Sequence, residues 1–444
     1  MKKFFAIALA LVMVLGLCAC TVTETPKSTD APKATNAPDA NVTQAPETPA
    51  AQDVDISLWT YPIGEWGKQE TVDALIASFN EVYPNIHVTV EYLTYQDGDD
   101  KVNTAIEGNA APDLIMEGPE RLVANWGAKG KMVDLSDLWT ADSKADMYAS
   151  VEAACKAASG AYYEYPLCMT AHCMAINKDV FVETGAWQYV DEATHTWTTE
   201  NFFKAVQCLY DAGYKNVGAV FCGGQGGDQG TRALINNLYG GTYTNAEHTA
   251  YTANSPENIK ALEALVAQDG INFDASIVGG DEINLFVQGQ LQMAFCWNIA
   301  QETNNADALT FDVFPMAFPS PNATDVQLCG GIWGFGVFDN GDAAKIEAAK
   351  TFIKWACDEE PEQCAKASTY WSTRQSLANM YEGDEMKTEY GMFMQYLGDY
   401  YQVVAGWANA RTEGWNMLQR IGSGGDVTAE VETFVTNANA AAAG

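Results

Sequence analysis

Apolar and polar positions from residue 54 onward follow first a strand period and then a helix period. Segments 54–59 and 86–92 are short apolar runs typical of strands, and the chain between them carries apolar residues at helical spacing until Pro84. A shorter helix is predicted at 101–108 and a third strand at 112–116. Strands that alternate with helices over short links predict a parallel sheet with right-handed crossovers.

The same alternation recurs later in the chain. Thr199 opens a helix, and Ser255 before Pro256 forms an N-cap followed by proline at the first helical position. Further strands are predicted at 165–177, 217–222, 293–297 and 332–338. Five helices are predicted in the C-terminal third, at 343–357, 361–367, 385–401, 412–421 and 427–439. We infer an α/β chain with two lobes.

The first twenty residues have the pattern of an export signal. Lys2 and Lys3 precede the apolar run 4–17, which is shorter than the roughly 20 residues that cross a bilayer as a helix. The run ends in Leu-Cys-Ala-Cys, which resembles the lipobox of bacterial lipoproteins. That resemblance implies cleavage before Cys20 and a lipid on its sulfur. Cys18 is the weaker alternative, because Leu17 before it is too large, and an ordinary signal peptide is the other alternative.

A tether is predicted at 21–52, where prolines interrupt Thr, Ala and Asp and few apolar residues are available for burial. Composition then limits the partners. Asp and Glu total 58 against 24 Lys and Arg, and the formal net charge of −34 repels phosphate backbones. We therefore expect no nucleic-acid partner.

The cysteines do not form the pattern of a disulfide scaffold or a zinc site. There are 11, scattered along the chain, and no Cys-x-x-Cys pair occurs. Cys357 and Cys364 are seven residues apart, and on one continuous helix their Cα atoms would lie about 10 Å apart. That separation is too long for a disulfide unless the helix breaks.

Motifs of catalysis are missing from the sequence. It has no Gly-x-Ser-x-Gly elbow, no His-Glu-x-x-His and no phosphate-binding loop, and the glycine cluster at 223–230 lacks dinucleotide-binding spacing. The four histidines lie far apart. We predict no catalytic residue, metal or cofactor. One enzymatic alternative stays open, because Glu65 and Glu117 follow the first and third predicted strands and could form the carboxylate pair of a glycoside hydrolase.

Aromatic residues cluster where strands are predicted to end. They are Trp59, Tyr61, Trp66, Tyr92, Tyr95, Trp297, Trp333, Tyr370 and Trp371. Trp333 lies in Gly-Gly-Ile-Trp-Gly, which offers few side chains to pack against. A flat ring at a cleft can stack on the apolar face of a sugar while polar groups bind its hydroxyls.

Six segments together resemble the extracellular solute-binding proteins of carbohydrate ABC transporters, the maltose-binding-like class, from about residue 53 to the C-terminus. They are Trp59-Thr-Tyr61, Phe79-Asn-x-x-Tyr83-Pro84-Asn85, Gly108-Asn-Ala-Ala-Pro112-Asp113, Tyr165-Pro166 with Ala175-Ile-Asn-Lys178, Thr196-Trp-Thr-x-Glu200, and Phe286-x-x-Gly289 leading to Trp297. The resemblance implies a type II periplasmic-binding-protein-like fold, with parallel-dominated sheets flanked by helices, a hinge and an inter-lobe cleft. It implies one lobe from 53–170 with 330–355 and another from 171–329 with 356–444.

The resemblance also implies a function and a site. The chain is expected to be a monomeric lipoprotein outside the cytoplasm, anchored to the cell membrane through Cys20, that delivers a sugar or oligosaccharide to ABC permease subunits. The implied ligand-binding residues are Tyr61, Glu65, Trp66, Tyr95, Glu117, His172, Trp297, Trp333, Trp371, Arg374 and Arg411. The two arginines leave an anionic solute, such as a glycerol phosphate, as an alternative ligand.

Overall fold

Eleven strands and sixteen helices are present in the computed structural model, which describes residues 52–220, 228–274, 277, 279–398 and 404–443. The predicted signal, Cys20, nearly all of the tether and most of the glycine cluster lie outside these residues. The strands are β1 (Val54–Thr60), β2 (Ile86–Tyr92), β3 (Leu114–Glu117), β4 (Tyr165–Ala171), β5 (Cys173–Asn177), β6 (Gly218–Ala219), β7 (Ile271–Asn272), β8 (Met293–Trp297), β9 (Val313–Met316), β10 (Gly330–Val337) and β11 (Trp371–Ser372).

The helices cover the faces of the sheets. They are α1 (Gln69–Val82), α2 (Gly98–Glu107), α3 (Pro119–Arg121), α4 (Ala141–Asp146), α5 (Ala149–Cys155), α6 (Lys178–Thr184), α7 (Thr199–Asp211), α8 (Asp228–Tyr239), α9 (Pro256–Ala267), α10 (Gly279–Val287), α11 (Ile299–Asn305), α12 (Ala343–Lys354), α13 (Pro361–Ser368), α14 (Glu385–Gly391), α15 (Trp407–Gly422) and α16 (Val427–Ala442). The predicted N-cap is confirmed, because Ser255 accepts a hydrogen bond from the Asn258 amide at 3.2 Å.

Two main sheets divide the strands between them. The six-stranded sheet has the order β11-β4-β10-β3-β1-β2, and the three-stranded sheet has the order β8-β5-β9. β1 pairs in parallel with β2 and β3, which confirms the parallel pairing predicted for the first three strands. The sheets as a whole are mixed rather than parallel-dominated, since β10 is antiparallel to β3 and β4, and β5 is antiparallel to β8 and β9. β4 and β10 lie side by side where the chain leaves and re-enters the six-stranded sheet, so they run in opposite directions.

Three segments cross between the sheets and contact one another. The predicted strand at 165–177 divides at His172, so that β4 belongs to one sheet and β5 to the other. The His172 amide donates to the Cys329 carbonyl at 2.8 Å, and the Leu328 amide donates to the Tyr396 carbonyl at 2.9 Å. These backbone bonds join the three crossing segments into one junction.

The two sheets define the two lobes, which we name the first lobe (six-stranded sheet) and the second lobe (three-stranded sheet). Trp371 of β11 pairs with Met169 of β4, so the chain around β11 lies in the first lobe. The predicted division assigned 356–444 to the second lobe and therefore misplaces this segment, because a two-residue strand carries too little periodicity to be recognised. α16 packs on α9, and α15 contacts both α16 and the turn Leu122–Gly127 of the first lobe.

Several helix bounds in the C-terminal third differ from the prediction. α12 gives way to a wider π-helical turn at Trp355–Glu359 and Pro361 starts a new helix, so Cys357 and Cys364 lie on separate segments as free thiols. The helix predicted at 385–401 ends at Gly391 and continues as a 3-10 turn, Met392–Tyr396. α15 begins at Trp407, five residues earlier than predicted.

Candidate functional site

A pair of stacked tyrosines lies at the end of β1. The rings of Tyr61 and Tyr95 stack with their centroids 5.1 Å apart, and the Tyr61 hydroxyl donates to Asp99 Oδ1 at 2.6 Å. The Arg121 guanidinium lies 5.2 Å from the Tyr61 centroid and 5.6 Å from that of Tyr95. Burial, and then the Asp99 charge, raises the pKa of Tyr61, so the phenol keeps its proton and acts as a donor.

Arg121 pairs with two carboxylates whose pKa values shift in opposite directions. Its Nε donates to Asp99 at 2.6 Å, and its Nη1 donates to Glu117 at 3.3 Å. Burial acts to raise the pKa of Asp99, but the Arg121 charge and hydrogen bonds outweigh it and leave that pKa below its usual value. Burial raises the pKa of Glu117, and Arg121 opposes this only in part. The site therefore contains one firmly ionised carboxylate and one that protonates more readily.

An ion pair joins the two lobes beside these groups. Glu120 follows β3 of the first lobe, and its carboxylate accepts from Arg232 Nη2 and from Gln229 Nε2, each at 3.3 Å. Both donors lie on α8, which packs on β8 of the second lobe. The Glu120 and Arg232 side chains are only 5% and 10% exposed, so the pair is largely shielded from water.

Trp407, the first residue of α15, connects this region to a groove. Its ring centroid lies 5.7 Å from the Arg121 guanidinium and 4.7 Å from that of Arg411. The groove beside it, between α8, α15 and α16, has a cavity volume of about 30 Å³. Its aromatic lining consists of Tyr243, Tyr251, Trp407, Trp415 and Phe434. Flat apolar rings next to paired charges form a surface suited to a solute with both apolar faces and hydroxyls.

We call this assembly the inter-lobe cluster. Its members are Tyr61, Tyr95, Asp99, Glu117, Glu120, Arg121, Arg232, Trp407 and Arg411. Four of them, Tyr61, Tyr95, Glu117 and Arg411, are residues that the sequence predicted as ligand-binding. The structure brings these four together from four separate stretches of the chain.

Two predicted tryptophans lie in the cores instead. Trp66 is 0% exposed, and its indole nitrogen donates to the Cys364 carbonyl at 3.1 Å. Trp297 is also 0% exposed and donates to the Tyr390 hydroxyl at 2.7 Å. Both rings pack on core aromatic residues, Trp66 on Phe335 and Trp297 on Phe286, so we leave both out of the proposed site.

Glu65 and Trp371 pair with residues outside the cluster. Glu65 forms an ion pair with Lys68 at 2.8 Å on the half-exposed turn after β1. Trp371 packs edge-to-face on Tyr381 at 5.8 Å, and Lys387 Nζ lies 5.3 Å from the Trp371 ring centroid. These contacts give each side chain a local structural partner.

Trp333 and His172 lie together at the junction of the lobes. Trp333 stacks on Tyr370 with centroids 4.9 Å apart and lies 6.4 Å from the His172 ring. The Trp333 ring covers Gly331, where a Cβ would come within 1.8 Å of a ring carbon, so only glycine fits. Burial lowers the pKa of His172 to about 4, and its Nδ1 has no hydrogen-bond partner. His172 is thus a neutral hinge residue at pH 7.

Arg374 forms bonds inside the first lobe rather than at the cluster. Its guanidinium donates to the Tyr165 hydroxyl at 3.0 Å, to the carbonyls of Cys357 at 3.2 Å and Ser143 at 3.3 Å, and to the Asp358 carboxylate. A buried guanidinium engaged on several sides by its own lobe has a structural role. We therefore remove Arg374 from the proposed ligand site.

Five cluster members were missed by the sequence reasoning: Asp99, Glu120, Arg121, Arg232 and Trp407. Arg121 and Glu120 directly follow a predicted strand, which is a usable signal. Trp407 and Arg411 share the i, i+4 spacing of one helix face, but the predicted helix began at 412 and concealed it. No local pattern marks Asp99 or Arg232.

Comparisons with known proteins identify the family and the fold. The model of the family described as bacterial extracellular solute-binding protein matches residues 65–363. An ABC transporter solute-binding protein from Thermotoga lettingae, bound with alpha-D-tagatose, has a TM-score of 0.69 at 16% identity and covers 87% of this chain and 99% of its own. An ABC substrate-binding protein from Listeria monocytogenes, in complex with cycloalternan, has a TM-score of 0.67 at 20% identity and covers 88% and 99%.

A third solved structure is similar to the same extent. This ABC transporter solute-binding protein from Agrobacterium radiobacter, in complex with ribitol, has a TM-score of 0.68 at 19% identity and covers 88% of this chain and 99% of its own. A search of curated proteins gives no match. At these identities the likeness establishes the fold, which is the two-lobe periplasmic-binding-protein fold that the sequence predicted.

Proposed function

The chain belongs to the family of bacterial extracellular solute-binding proteins, and we propose that it captures a sugar or oligosaccharide between its lobes for an ABC transporter. The observation that supports this most directly is the inter-lobe cluster. In it the Trp407 ring centroid lies 5.7 Å from the Arg121 guanidinium and 4.7 Å from that of Arg411, and an ion pair joins the lobes nearby. Aromatic faces and oriented polar groups are the two elements that sugar recognition needs.

A neutral solute fits the cluster better than an anion. The three guanidinium groups of Arg121, Arg232 and Arg411 stand beside the three carboxylates of Asp99, Glu117 and Glu120, so the formal charges cancel. Arg121 already donates to Asp99 and Glu117. Sites that bind phosphate present guanidinium forks to the ligand. The anionic alternative also depended on Arg374, which is bound within its own lobe.

Lobe closure is the proposed mechanism. A solute that contacts both lobes does so only when they are closed, and it therefore shifts the population toward the closed form. In the closed arrangement Glu120 and Arg232 meet, and the solute takes its place beside them. The closed form then docks on permease subunits and releases the solute there.

A secreted glycoside hydrolase remains the competing class. The two carboxylates that the sequence offered for hydrolysis are engaged separately, Glu65 by Lys68 on the half-exposed turn after β1 and Glu117 by Arg121 in the inter-lobe cluster. We propose that the protein binds the saccharide and does not cleave it. Prolonged incubation with a labelled oligosaccharide should return it intact, whereas shortened products would establish hydrolysis.

A thermal-shift screen tests the proposed function. The panel contains the mono-, di- and trisaccharides of glucose, galactose, mannose and xylose, together with glycerol phosphate. A solute that binds only the folded state raises Tm, by an amount that grows with its concentration above Kd. We expect a shift with at least one saccharide and none with glycerol phosphate. No shift with any saccharide would contradict the proposal.

We also propose a lipid anchor at Cys20. A member of an extracellular family functions outside the cytoplasm, and among the described residues no helix is long and apolar enough to span a bilayer. Full-length protein expressed in a bacterium should partition into the detergent phase, and Cys20→Ser should move it to the aqueous phase. Cys18→Ser is the matched control. Loss of partitioning in the control instead would assign the lipid to Cys18.

Permease delivery and the monomeric state are further parts of the proposal. One copy per permease suffices for a two-lobe binder, so light scattering of the purified body should give the mass of a single chain. Affinity purification of the tagged protein from its membrane should retain permease subunits in the presence of the bound sugar. Recovery of a stable dimer would contradict the monomeric arrangement.

A further inference from the structure

Helix α14 contacts both lobes. On one side Lys387 Nζ donates to the carbonyl of Thr369, two residues before β11, so this side of the helix lies on the first lobe. On the other side the Tyr390 hydroxyl accepts from the Trp297 indole at 2.7 Å and donates to Glu302 of α11, so this side lies on the second lobe. α14 therefore connects the two lobes.

His195 of the second lobe faces α14 with one ring nitrogen. Its Nδ1 lies 2.8 Å from the Pro315 carbonyl oxygen, which can only accept, so Nδ1 carries the hydrogen of the neutral ring. The ring stacks on Phe314 with centroids 4.1 Å apart, which fixes its orientation. The other nitrogen, Nε2, lies 3.9 Å from Glu389 Oε1 of α14. In the neutral ring Nε2 therefore presents a lone pair to the Glu389 carboxyl.

One proton decides whether this contact attracts or repels. With a proton on Glu389 or on Nε2, one atom donates and the other accepts, whereas without it a lone pair faces a carboxylate. The Glu389 side chain is 37% exposed, so a small rotation can close the remaining distance. Burial, and then the charges of Glu302 and Asp312, raises the pKa of Glu389 to about 7, and burial lowers the pKa of His195. The proton therefore lies on Glu389 and leaves as the pH rises through about 7.

Four carboxylates and one ammonium group act on the pair. They are Glu302 of α11, Asp312 before β9, Asp191 and Glu192 in the turn before His195, and Lys178 of α6. Lys178 Nζ already lies 3.4 Å from Glu192 and 4.0 Å from Asp312, so its charge is shared between these partners. The predominantly negative surroundings favour the form of the pair that keeps its proton.

We propose that Glu389 and His195 form a proton-dependent contact that attaches α14 to the second lobe and weakens as the pH rises above neutrality. Burial lowers the pKa of Lys387 to about 8, but a neutral amine still donates to the Thr369 carbonyl, so α14 keeps its attachment to the first lobe. The lobes are joined more firmly through α14 in mildly acidic than in mildly alkaline solution. This property goes beyond the proposed function and does not depend on the identity of the solute.

Hydrogen exchange of the ligand-free protein between pH 6 and pH 8.5, corrected for the intrinsic exchange rate, tests the contact. We expect the protection of the peptide that covers α14 to fall above pH 7 by up to about tenfold per pH unit, because one proton is released. Glu389→Gln supplies an amide that donates to Nε2 at every pH and should make this protection constant. Glu385→Gln, at an exposed position of the same helix, is the matched control and should keep the decline of the wild type.

Nitrogen NMR of the histidine rings measures the contact in the wild type itself. We expect the His195 Nε2 resonance to change with the same midpoint as the protection of α14. His195→Asn assigns this resonance by its absence, since asparagine suits the positive φ of 52° at this position. Protection that is independent of pH, an equal decline in Glu389→Gln, or a His195 Nε2 resonance that stays constant from pH 6 to pH 8.5 would overturn the contact. Each of these results would leave the proposed saccharide binding standing.

Discussion

The Arg232 guanidinium donates to the Glu120 carboxylate across 3.3 Å, and this pair connects α8 of the second lobe to the end of β3 in the first. Both side chains are at least nine-tenths buried. Separating the lobes returns both groups to water, so the pair contributes only to the closed form. The contact is therefore a candidate for setting how much of the ligand-free protein is closed.

Arg232→Met tests this coupling. It takes the guanidinium charge away from the buried Glu120 carboxylate in the closed form, a penalty of about 2–5 kcal/mol that opening relieves. We expect a larger radius of gyration without ligand, measured by small-angle scattering, and a weaker saccharide affinity. Lys204→Met breaks the exposed pair with Glu200 and should change neither. An unchanged radius of gyration in Arg232→Met would remove the pair from the closure mechanism.

Trp407→Ala tests the stacking surface. Removing a central ring from a binding site typically costs 2 kcal/mol or more, so we expect saccharide affinity to fall about 30-fold or more. Trp407→Phe keeps part of the surface and should lose less. Trp187→Ala, which removes a ring packed on Phe314 in the second lobe, is the control for lost packing alone. Equal affinities in all three variants would contradict the role of Trp407.

Arg374→Met separates the structural role from ligand binding. Removing the guanidinium leaves the Asp358 carboxylate with the Tyr165 hydroxyl as its donor and takes a donor from two carbonyls. We expect the free energy of unfolding to fall by about 3 kcal/mol, measured by denaturant titration, with saccharide affinity changed less than about twofold. A strong loss of affinity at unchanged stability would return Arg374 to the binding site.

Because of the buried Glu282 carboxyl, we expect the free energy of unfolding to decrease as pH rises. Burial raises the pKa of its carboxyl to about 8, although the backbone amides of Phe295 and Cys296 act against this. In the unfolded chain the Glu282 carboxyl ionises near pH 4.3. The folded state therefore loses stability from that pH up to about pH 8, by about 1.4 kcal/mol per pH unit at most. Glu282→Gln keeps an acceptor for Phe295 and should flatten this part of the Tm profile.

Two outcomes separate this explanation from a general effect of charge. Glu263→Gln, on the exposed side of α9, removes one carboxylate of the same lobe and should keep the slope of the wild type. If Glu282→Gln and wild type lose stability in parallel between pH 5 and pH 8, the buried carboxyl is not the cause.

Because of His172, we expect the opposite pH dependence of stability at acid pH. Its folded pKa is lowered to about 4 by burial, while the unfolded chain binds the proton near pH 6.5. The stability that neutral His172 contributes is fully present above about pH 6.5. It is lost as the pH falls toward 4, again by about 1.4 kcal/mol per pH unit at most. His172→Phe keeps a ring beside Trp333 and should abolish this loss. His87→Phe, on an exposed stretch of β2, should retain it.

The sequence by itself determined the α/β class and most of the first lobe. β1, α1 and β2 fall where the periodicity placed them, because each repeats its apolar residues over two or more turns or strand periods. It also placed Tyr61, Tyr95 and Glu117 after the first three strands, and side chains that follow parallel strands collect at one edge of the sheet.

Only the tertiary structure decided which aromatic and charged groups meet. Trp66 and Trp407 are both tryptophans beside glycine in the sequence and both are almost fully buried, yet Trp66 packs on Phe335 whereas Trp407 lies next to the guanidinium groups of Arg121 and Arg411. The difference comes from contacts hundreds of residues apart along the chain. Burial of a ring and pairing of a charge depend on what the other lobe brings to the same place, and local periodicity carries no information about that.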